Sequence, residues 1–434
     1  MDELDRLYQE LAQELSGYIS VKTIGKKKRY YLQKKERGHV VSAYIKRQDL
    51  PSVRIAIKRR KRLTQTIQTL EKKYYQPLAK LTPAAKALNG SLLLGDQVVA
   101  IFKNGELQWI DEARAPLMVK RTHQIEGWLA SRAIDQHRPN SRLLKKALRI
   151  EETGESELAL RAHGATITDT YWFRPAHSKL TYKDVAFKAD FFADIALSGN
   201  PASLGRKPAL SPELTAIGSY EKCWKLENGE WWMYKKENDF ERFSECFIYE
   251  LGAALGFAMA EYHLSGPYIK TRNFAKDVNY EPLSGLLGND DFYRSVFLTL
   301  DQLGGEFSRD YLKLLYFDAL VFNVDRHNEN CGILRDRKSG ALLRLAPNFD
   351  NNIALISRGY LPASSKAQEM MIRGLKDFLM SCPRAKQLYS RIAWPALSEE
   401  ILNRCFRAVP LPIDESRVKT ILYNAEYLLK RLSD

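Results

Sequence analysis

The chain has 434 residues, with 67 Lys and Arg against 52 Asp and Glu, a formal net charge of +15. That length predicts two or more domains, each with its own core. Five scattered cysteines without a Cys-x-x-Cys pair argue against a disulfide frame or zinc site, and the acidic start without a long apolar run argues against a secretory signal or membrane span, which predicts a cytoplasmic protein.

Residues 1–88 read as a separate basic module. Residues 1–90 hold 21 Lys and Arg against 8 Asp and Glu, so nearly all of the surplus charge lies there. Leu4, Leu7, Tyr8, Leu11 and Leu15 space as one helix face. Tyr30 to Leu32 and Val40 to Ile45 flank Gly38 as hairpin strands. Pro51 suits a helix start, and Leu63, Ile67, Leu70, Tyr74 and Leu78 recur at helical spacing. The expected module is helix–hairpin–helix, with the helices packed as an antiparallel pair. Two basic runs, Lys26-Lys27-Lys28-Arg29 and Arg59-Arg60-Lys61-Arg62, suit the phosphates of nucleic acid or an acidic protein partner. A solvated face on a docking module fits them equally well, since no base-reading motif accompanies them. Lys26, Lys27, Arg59 and Arg60 are the candidate contact residues.

Residues 89–205 carry fewer signals. Val98 to Phe102 and Gly105 to Trp109 predict a hairpin about Asn104-Gly105. Gln124 to Ile134 and Ser141 to Leu148 look helical. His163 and Asp169 invite a catalytic reading, but turn and hydrogen-bonding roles suit them better.

The chemistry concentrates after residue 205. Backbone N–H groups around Gly218 and Ser219 can cradle phosphate, with Lys222 adding charge. A single glycine is a weak form of such a loop, and an ordinary turn also fits. Trp231 to Lys235 alternates as a strand, followed by a helix over Phe243 to Leu255 with Glu245 in its first turn. Lys222, Lys235 and Lys236 compete for a nucleotide contact; alternation puts Lys235 with Trp231 and Met233, and Lys236 with Trp232 and Tyr234. Glu250 rivals Glu245 as a lysine partner. Tyr311 to Asn323 predicts a helix running into Asp325-Arg326-His327-Asn328-Glu329-Asn330. Cys331 to Leu334 and Ala341 to Leu345 predict a hairpin, and Asp350 follows in Asn348-Phe349-Asp350-Asn351. An Asp, an Asn five residues on, and a second Asp beyond a short hairpin form the spacing by which protein kinases orient a hydroxyl and hold Mg²⁺. Ala367 to Ser381 and Glu415 to Leu432 read as helices.

Asn323 to His327 with Asn330, and Asn348 to Asn351, resemble the catalytic and metal-binding segments of the HipA-like Ser/Thr kinases, bacterial kinases often encoded as toxins. Leu214 to Trp224 looks like that family's phosphate loop, and Trp231 to Lys235 like the strand ending in its nucleotide lysine. The resemblance spans roughly residues 90–430. It implies transfer of the ATP γ-phosphoryl group to a protein Ser or Thr. Asp325 would serve the hydroxyl, Asn330 and Asp350 would hold Mg²⁺, and Lys235 would pair with Glu245. Gly218, Ser219 and Lys222 would meet the phosphates, with autophosphorylation at Ser219, or at Thr215 as second choice. An antitoxin partner is also implied. Two departures stand out: the phosphate loop has one glycine, and no glycine follows Asp350.

The expected fold is α+β, a bilobal protein-kinase-like body with a mixed N-lobe and a helical C-lobe behind the N-terminal module. The expected boundaries are 1–88, 89–205, 206–290 and 291–434. The alternative is a nucleotide-binding pseudokinase whose basic arm engages nucleic acid or an antitoxin.

Overall fold

The computed structural model describes residues 17–24, 27–36, 39–74, 88–135, 138–148, 150, 154–200, 210–218, 220–360 and 366–432, together with Leu7, Glu10, Leu11, Glu14 and Leu15. Most of the helix expected over residues 4–15, Leu78, Lys26 and Ser219 lie outside the described residues. The chain divides into two compact units: Met1–Leu81 with Asn140–Glu152 and Asp194–Ala209, and Thr82–Pro139 with Thr153–Ala193 and Leu210–Asp434.

In the first unit, β1 (Tyr18–Ile24), β2 (Lys27–Glu36) and β3 (His39–Ile45) form an antiparallel sheet in the order β1-β2-β3. The β2–β3 hairpin is the expected one, with Tyr30 opposite Ile45; β1 is an additional strand on its other edge. Helix α1 (Leu50–Tyr74) has Pro51 in its first turn, where the missing N–H removes no helical bond. Leu50, Ile67 and Ile45 are buried. The helix-forming segments Ser141–Ala147 and 194–198 belong to this unit too.

The second unit begins with β4 (Gly90–Leu94), β5 (Gln97–Lys103), β6 (Glu106–Trp109) and β7 (Tyr171–Pro175), ordered β6-β5-β4-β7. The β5–β6 turn is the expected Asn104-Gly105 pair, with φ of +53° and +85°, the left-handed values that a two-residue hairpin needs. Leu92, Phe102 and Phe173 of this sheet pack with Trp128 and Leu129. A second sheet, β10-β11-β9-β8, is made of β8 (Lys222–Glu227), β9 (Glu230–Lys235), β10 (Tyr262–Ser265) and β11 (Tyr268–Arg272). A third, β12-β13-β14, is made of β12 (Val278–Pro282), β13 (Gly332–Asp336) and β14 (Leu342–Leu345).

The longer helices of this unit are α2 (Asp239–Ala254), α3 (Tyr293–Leu303), α4 (Gly305–Leu320), α5 (Lys366–Ser381), α6 (Pro383–Tyr389), α7 (Glu399–Ala408) and α8 (Glu415–Lys430). Phe243, Phe247 and Leu251 recur every fourth residue along α2 and enter one large core with Phe317 of α4, Leu379 of α5, Phe406 of α7 and Leu422 of α8. The fold is mixed α+β, as the sequence predicts. Helix α2 starts four residues earlier than its apolar pattern suggests. Asn238 caps it, its Oδ1 accepting from the Phe240 and Glu241 N–H groups at 2.9 and 3.1 Å, while the Glu241 carboxylate accepts from the Asn238 N–H at 2.8 Å. Glu245 therefore sits in the second turn rather than the first, and is fully buried.

All five cysteines are free and buried. Among the described residues no helix is long and apolar enough to cross a membrane.

Candidate active site

The β8–β9 hairpin sets Lys222 directly opposite Lys235. Cross-strand partners share a face, so two ammonium groups point to the same side of the sheet. Lys236 points the other way and pairs with Glu221 at 3.0 Å. Of the three lysines weighed from the sequence, Lys235 is the one beside the candidate acids. Its Nζ donates to Glu245 Oε1 at 2.8 Å and to Asp350 Oδ1 at 2.6 Å, and lies 5.6 Å from the Tyr262 ring centroid. Burial pulls its pKa down, but Asp350 and then Glu245 outweigh burial and hold it well above the ordinary lysine value. Glu250 has no part in this cluster; Glu245 does, because α2 delivers it to the core side.

Asp350 is reached by a constrained backbone. Asn348 forms a parallel bridge with Met259, and the Asp350 N–H donates to the Tyr262 hydroxyl at 3.0 Å. Asp350 itself has φ +60°, a left-handed conformation that Asp tolerates better than most residues. The Asn351 N–H donates to Glu245 Oε2 at 2.9 Å, so Glu245 ties this segment to Lys235. Burial pushes the Asp350 carboxyl up, but Lys235 and Lys222 prevail and bring it down to about 2. Burial likewise lowers Lys222 to about 8, with Asp350 opposing the change and Lys235 adding to it.

The loop after α4 carries Asp325 and Asn330. Its shape comes from Arg326, a buried guanidinium. Arg326 grips Asp318 with two bonds of 2.9 Å. It also donates to the Asn330 and Phe349 carbonyls at 2.5 and 3.0 Å and to Asn348 Oδ1 at 2.7 Å. One side chain thus fastens the Asp325–Asn330 loop to the segment that presents Asp350. Asn323 completes the brace: its Nδ2 donates to Asn351 Oδ1 at 3.0 Å and its Oδ1 accepts from the Asp325 N–H at 3.0 Å. Asn330 Nδ2 donates to the Asp325 carbonyl at 3.2 Å, leaving Oδ1 as its available ligand atom. The Asp325 side chain is partly exposed and accepts no hydrogen bond from the described residues. His327 Nδ1 accepts from the Glu329 N–H at 3.2 Å, a turn contact.

The remaining candidates separate clearly. Gly218 has φ +108°, and a Cβ there would collide with Lys222 Nζ, so glycine lets the lysine lie against the loop. Thr215 is buried and donates to the Ala165 carbonyl at 2.7 Å. Asp169 is held by Arg132 at 2.7 Å and by the Tyr171 N–H at 2.8 Å, a structural role. In the first unit, Arg60 donates to the Leu11 and Glu14 carbonyls at 2.8 and 3.0 Å, and Arg59 pairs with Glu14 at 2.9 Å. Lys27 is exposed.

The sequence reading missed Asp318, Tyr262 and Glu237. Asp318 had a signal, an acid on the last turns of an apolar helix just before an Asp-Arg pair. Glu237 had none. It is buried beside the cluster with neither carboxylate oxygen hydrogen-bonded among the described residues, and burial, then Glu245, push its pKa well above the usual carboxylate value.

The donor set suits a hard cation. Asn330 Oδ1 and the second Asp350 oxygen are hard oxygen donors of the kind Mg²⁺ takes along with substrate phosphates. Among the described residues, no group of three His, Cys, Asp or Glu could hold a metal unaided; water and substrate oxygens would complete its shell.

Residues 1–55 match a domain of unknown function, DUF6788. No curated protein matches the chain. Among solved structures, the chain is similar to HipA from the Shewanella oneidensis MR-1 toxin–antitoxin system, solved with HipB and operator DNA, at 14% identity and a TM-score of 0.49, over 79% of this chain and 96% of that one. The Helicobacter pylori proinflammatory kinase CtkA is similar at 19% identity and a TM-score of 0.30, over 49% of this chain and 88% of that one.

Proposed function

We propose that the second unit is an ATP- and Mg²⁺-dependent Ser/Thr protein kinase of the HipA-like kind. The supporting observation is Lys235, joined at once to Glu245 and Asp350 at 2.8 and 2.6 Å. Phosphoryl transfer needs positioning and charge more than covalent chemistry from the protein, and this cluster supplies both. Asp325 orients the acceptor hydroxyl and takes its proton as the hydroxyl oxygen bonds to the γ-phosphorus and ADP leaves. Lys235 and Lys222 hold phosphate oxygens, with backbone N–H groups around Gly218 and Ser219. Asn330 and Asp350 would hold the magnesium ion, which when bound offsets the charge on the β- and γ-phosphates.

Ser219 is the proposed autophosphorylation site. A phosphate there adds roughly −1.5 to −2 charges where the ATP phosphates would lie, and so opposes nucleotide binding. An antitoxin-type protein is a proposed partner, and residues 1–88 a proposed nucleic-acid contact.

The test is incubation of the purified protein with labelled ATP and Mg²⁺, alone and with a cell lysate. Asp325→Asn is expected to abolish transfer while Mg·ATP binding persists, because its carboxylate serves the acceptor. Asp350→Asn is expected to abolish transfer and to weaken the metal-dependent part of binding. Wild-type transfer by Asp325→Asn at matched stability would refute the assignment. Binding of ATP with no transfer by the wild type would leave a binding module.

A further inference from the structure

We infer that one face of the β1-β2-β3 sheet binds single-stranded nucleic acid by stacking bases on Tyr18, Tyr31 and Tyr44. The pairing register carries the argument. Ser20 lies opposite Tyr31, and Tyr31 opposite Tyr44. Tyr18 lies opposite Gln33, two residues along β2 from Tyr31. Side chains alternate across a strand, so the three tyrosines share one face. The side-chain contacts agree: Tyr31 and Tyr44 meet edge to face at 5.6 Å, Lys22 Nζ lies 5.2 Å from the Tyr31 centroid, and Gln33 donates to Ser42 on the same side. Tyr30 and Ile45 occupy the opposite face, where Ile45 is buried.

The outer rings of this face are open. Tyr18 is 56% exposed and Tyr44 58%, with Tyr31 half-buried between them. Its cations sit beyond the rings. Lys22 is opposite Arg29, and Lys27 follows on the same face of β2. Lys22, Lys27 and Arg29 are all exposed. The three strands contain one acidic residue, Glu36. The Tyr18 and Tyr31 rows stand about 7 Å apart, two strand residues, which suits successive bases of an extended strand. Exposed rings beside cations are what bases and phosphates of a single strand require. A duplex keeps its base faces stacked and would use only the cations. An acidic protein would likewise need the charge and not the rings. Unlike the Arg59-Arg60 run, where both side chains already hold the chain near Glu14, this face has donors to spare.

Fluorescence anisotropy on the full-length protein tests this, with labelled oligo-dT, oligo-U and a duplex of equal length at two salt concentrations. Single strands are expected to bind more tightly than the duplex. Tyr18→Ala and Tyr44→Ala are each expected to weaken single-strand binding about fivefold or more with an unchanged salt slope, and Tyr44→Phe to restore it. Lys22→Gln and Arg29→Gln are each expected to reduce the slope by about 0.7. These positions are exposed, and circular dichroism checks that each variant folds. No binding at low salt, equal binding of duplex and single strand, or tyrosine variants that bind like the wild type would each overturn the proposal. Displacement by polyglutamate at matched charge would overturn it in favour of an acidic partner. The proposal rests on residues 1–88 being a nucleic-acid contact: no binding at low salt would sink both, whereas equal duplex binding or unaffected tyrosine variants would sink the stacking face alone. The kinase reading stands apart because the titration contains no ATP.

Discussion

Lys222 and Lys235 sit opposite each other on one sheet face, yet their electrostatic situations diverge. Lys235 is clamped between two acids, whereas Lys222 is lowered to about 8 by burial, only partly offset by Asp350. A lysine near that value is a conditional phosphate contact. ATP affinity is expected to fall as pH rises through about 8, and Lys222→Met to bind more weakly and lose that pH dependence. Calorimetric titration of ATP across that range checks it; an unchanged profile in the variant would assign the dependence elsewhere. Glu213 gives a second pH effect, this one on folding. It is wholly buried, and burial raises its carboxyl to about 7 against the opposing Arg138. A raised folded-state value means the folded protein holds a proton that the unfolded chain releases. Stability is therefore greatest below pH 4.5 for this group, and declines as pH climbs to about 7, by up to roughly 3 kcal/mol. In Glu213→Gln that decline should be absent from urea unfolding curves taken across the window. The effect bears on the site because Arg138, which faces Glu213, also donates to the Ala216 and Lys222 carbonyls at 2.9 Å each, on either side of Gly218.

At the scale of elements, α2 is the piece that turns packing into chemistry. Its apolar face is fixed by Phe243, Phe247 and Leu251, and the same rotation presents Glu245 to Lys235 and to the Asn351 N–H. Its cap is the cheapest place to perturb it. Asn238→Ala removes the acceptor for two N–H groups and is expected to cost about 1 kcal/mol. The loss should appear as a lower urea midpoint with an unchanged m-value, and transfer activity should fall less than it does for Asp325→Asn. The loop after α4 depends on its brace in the same manner. Arg326 and Asp318 are a buried pair that leaves a bare charge if either is removed.

The whole molecule places every proposed catalytic residue in the second unit and most of the surplus charge in the first. Deleting residues 1–88 is expected to leave Mg·ATP affinity in place and to remove nucleic-acid binding. Paired calorimetry and anisotropy measurements check both halves. Loss of ATP binding in a truncated chain that is still folded would mean that the catalytic residues depend on the first unit. The deletion is not neutral for the first unit, which also draws in residues 140–152 and 194–209. A lower melting temperature is therefore expected.

That division marks where the sequence was legible. The helices over residues 50–74 and 366–381, the Asn104-Gly105 hairpin, the β2–β3 hairpin and the loop from Asp325 to Asn330 all follow from spacing or turn chemistry within about a dozen residues. Local periodicity and the left-handed preference of Asn-Gly act before any distant contact forms. Other features needed the folded chain. Alternation could not separate Lys235 from Lys236, because which sheet face meets the acids depends on α2 and on Asp350, 115 residues away. The choice of Glu245 over Glu250 depended on a cap five residues upstream of the apolar pattern. Strand β1 was hidden because its exposed tyrosine face lacks the buried side that betrays a strand. Arg326 looked like one basic residue in a turn; its bonds to Asp318, Asn348 and Phe349 exist only once α4 and the Asp350 segment are packed together. Sequence alone determined the elements and the chemistry they carry, since both are written in near neighbours, while only tertiary packing decided which charges meet, since Coulomb attraction and burial act through space and not along the chain.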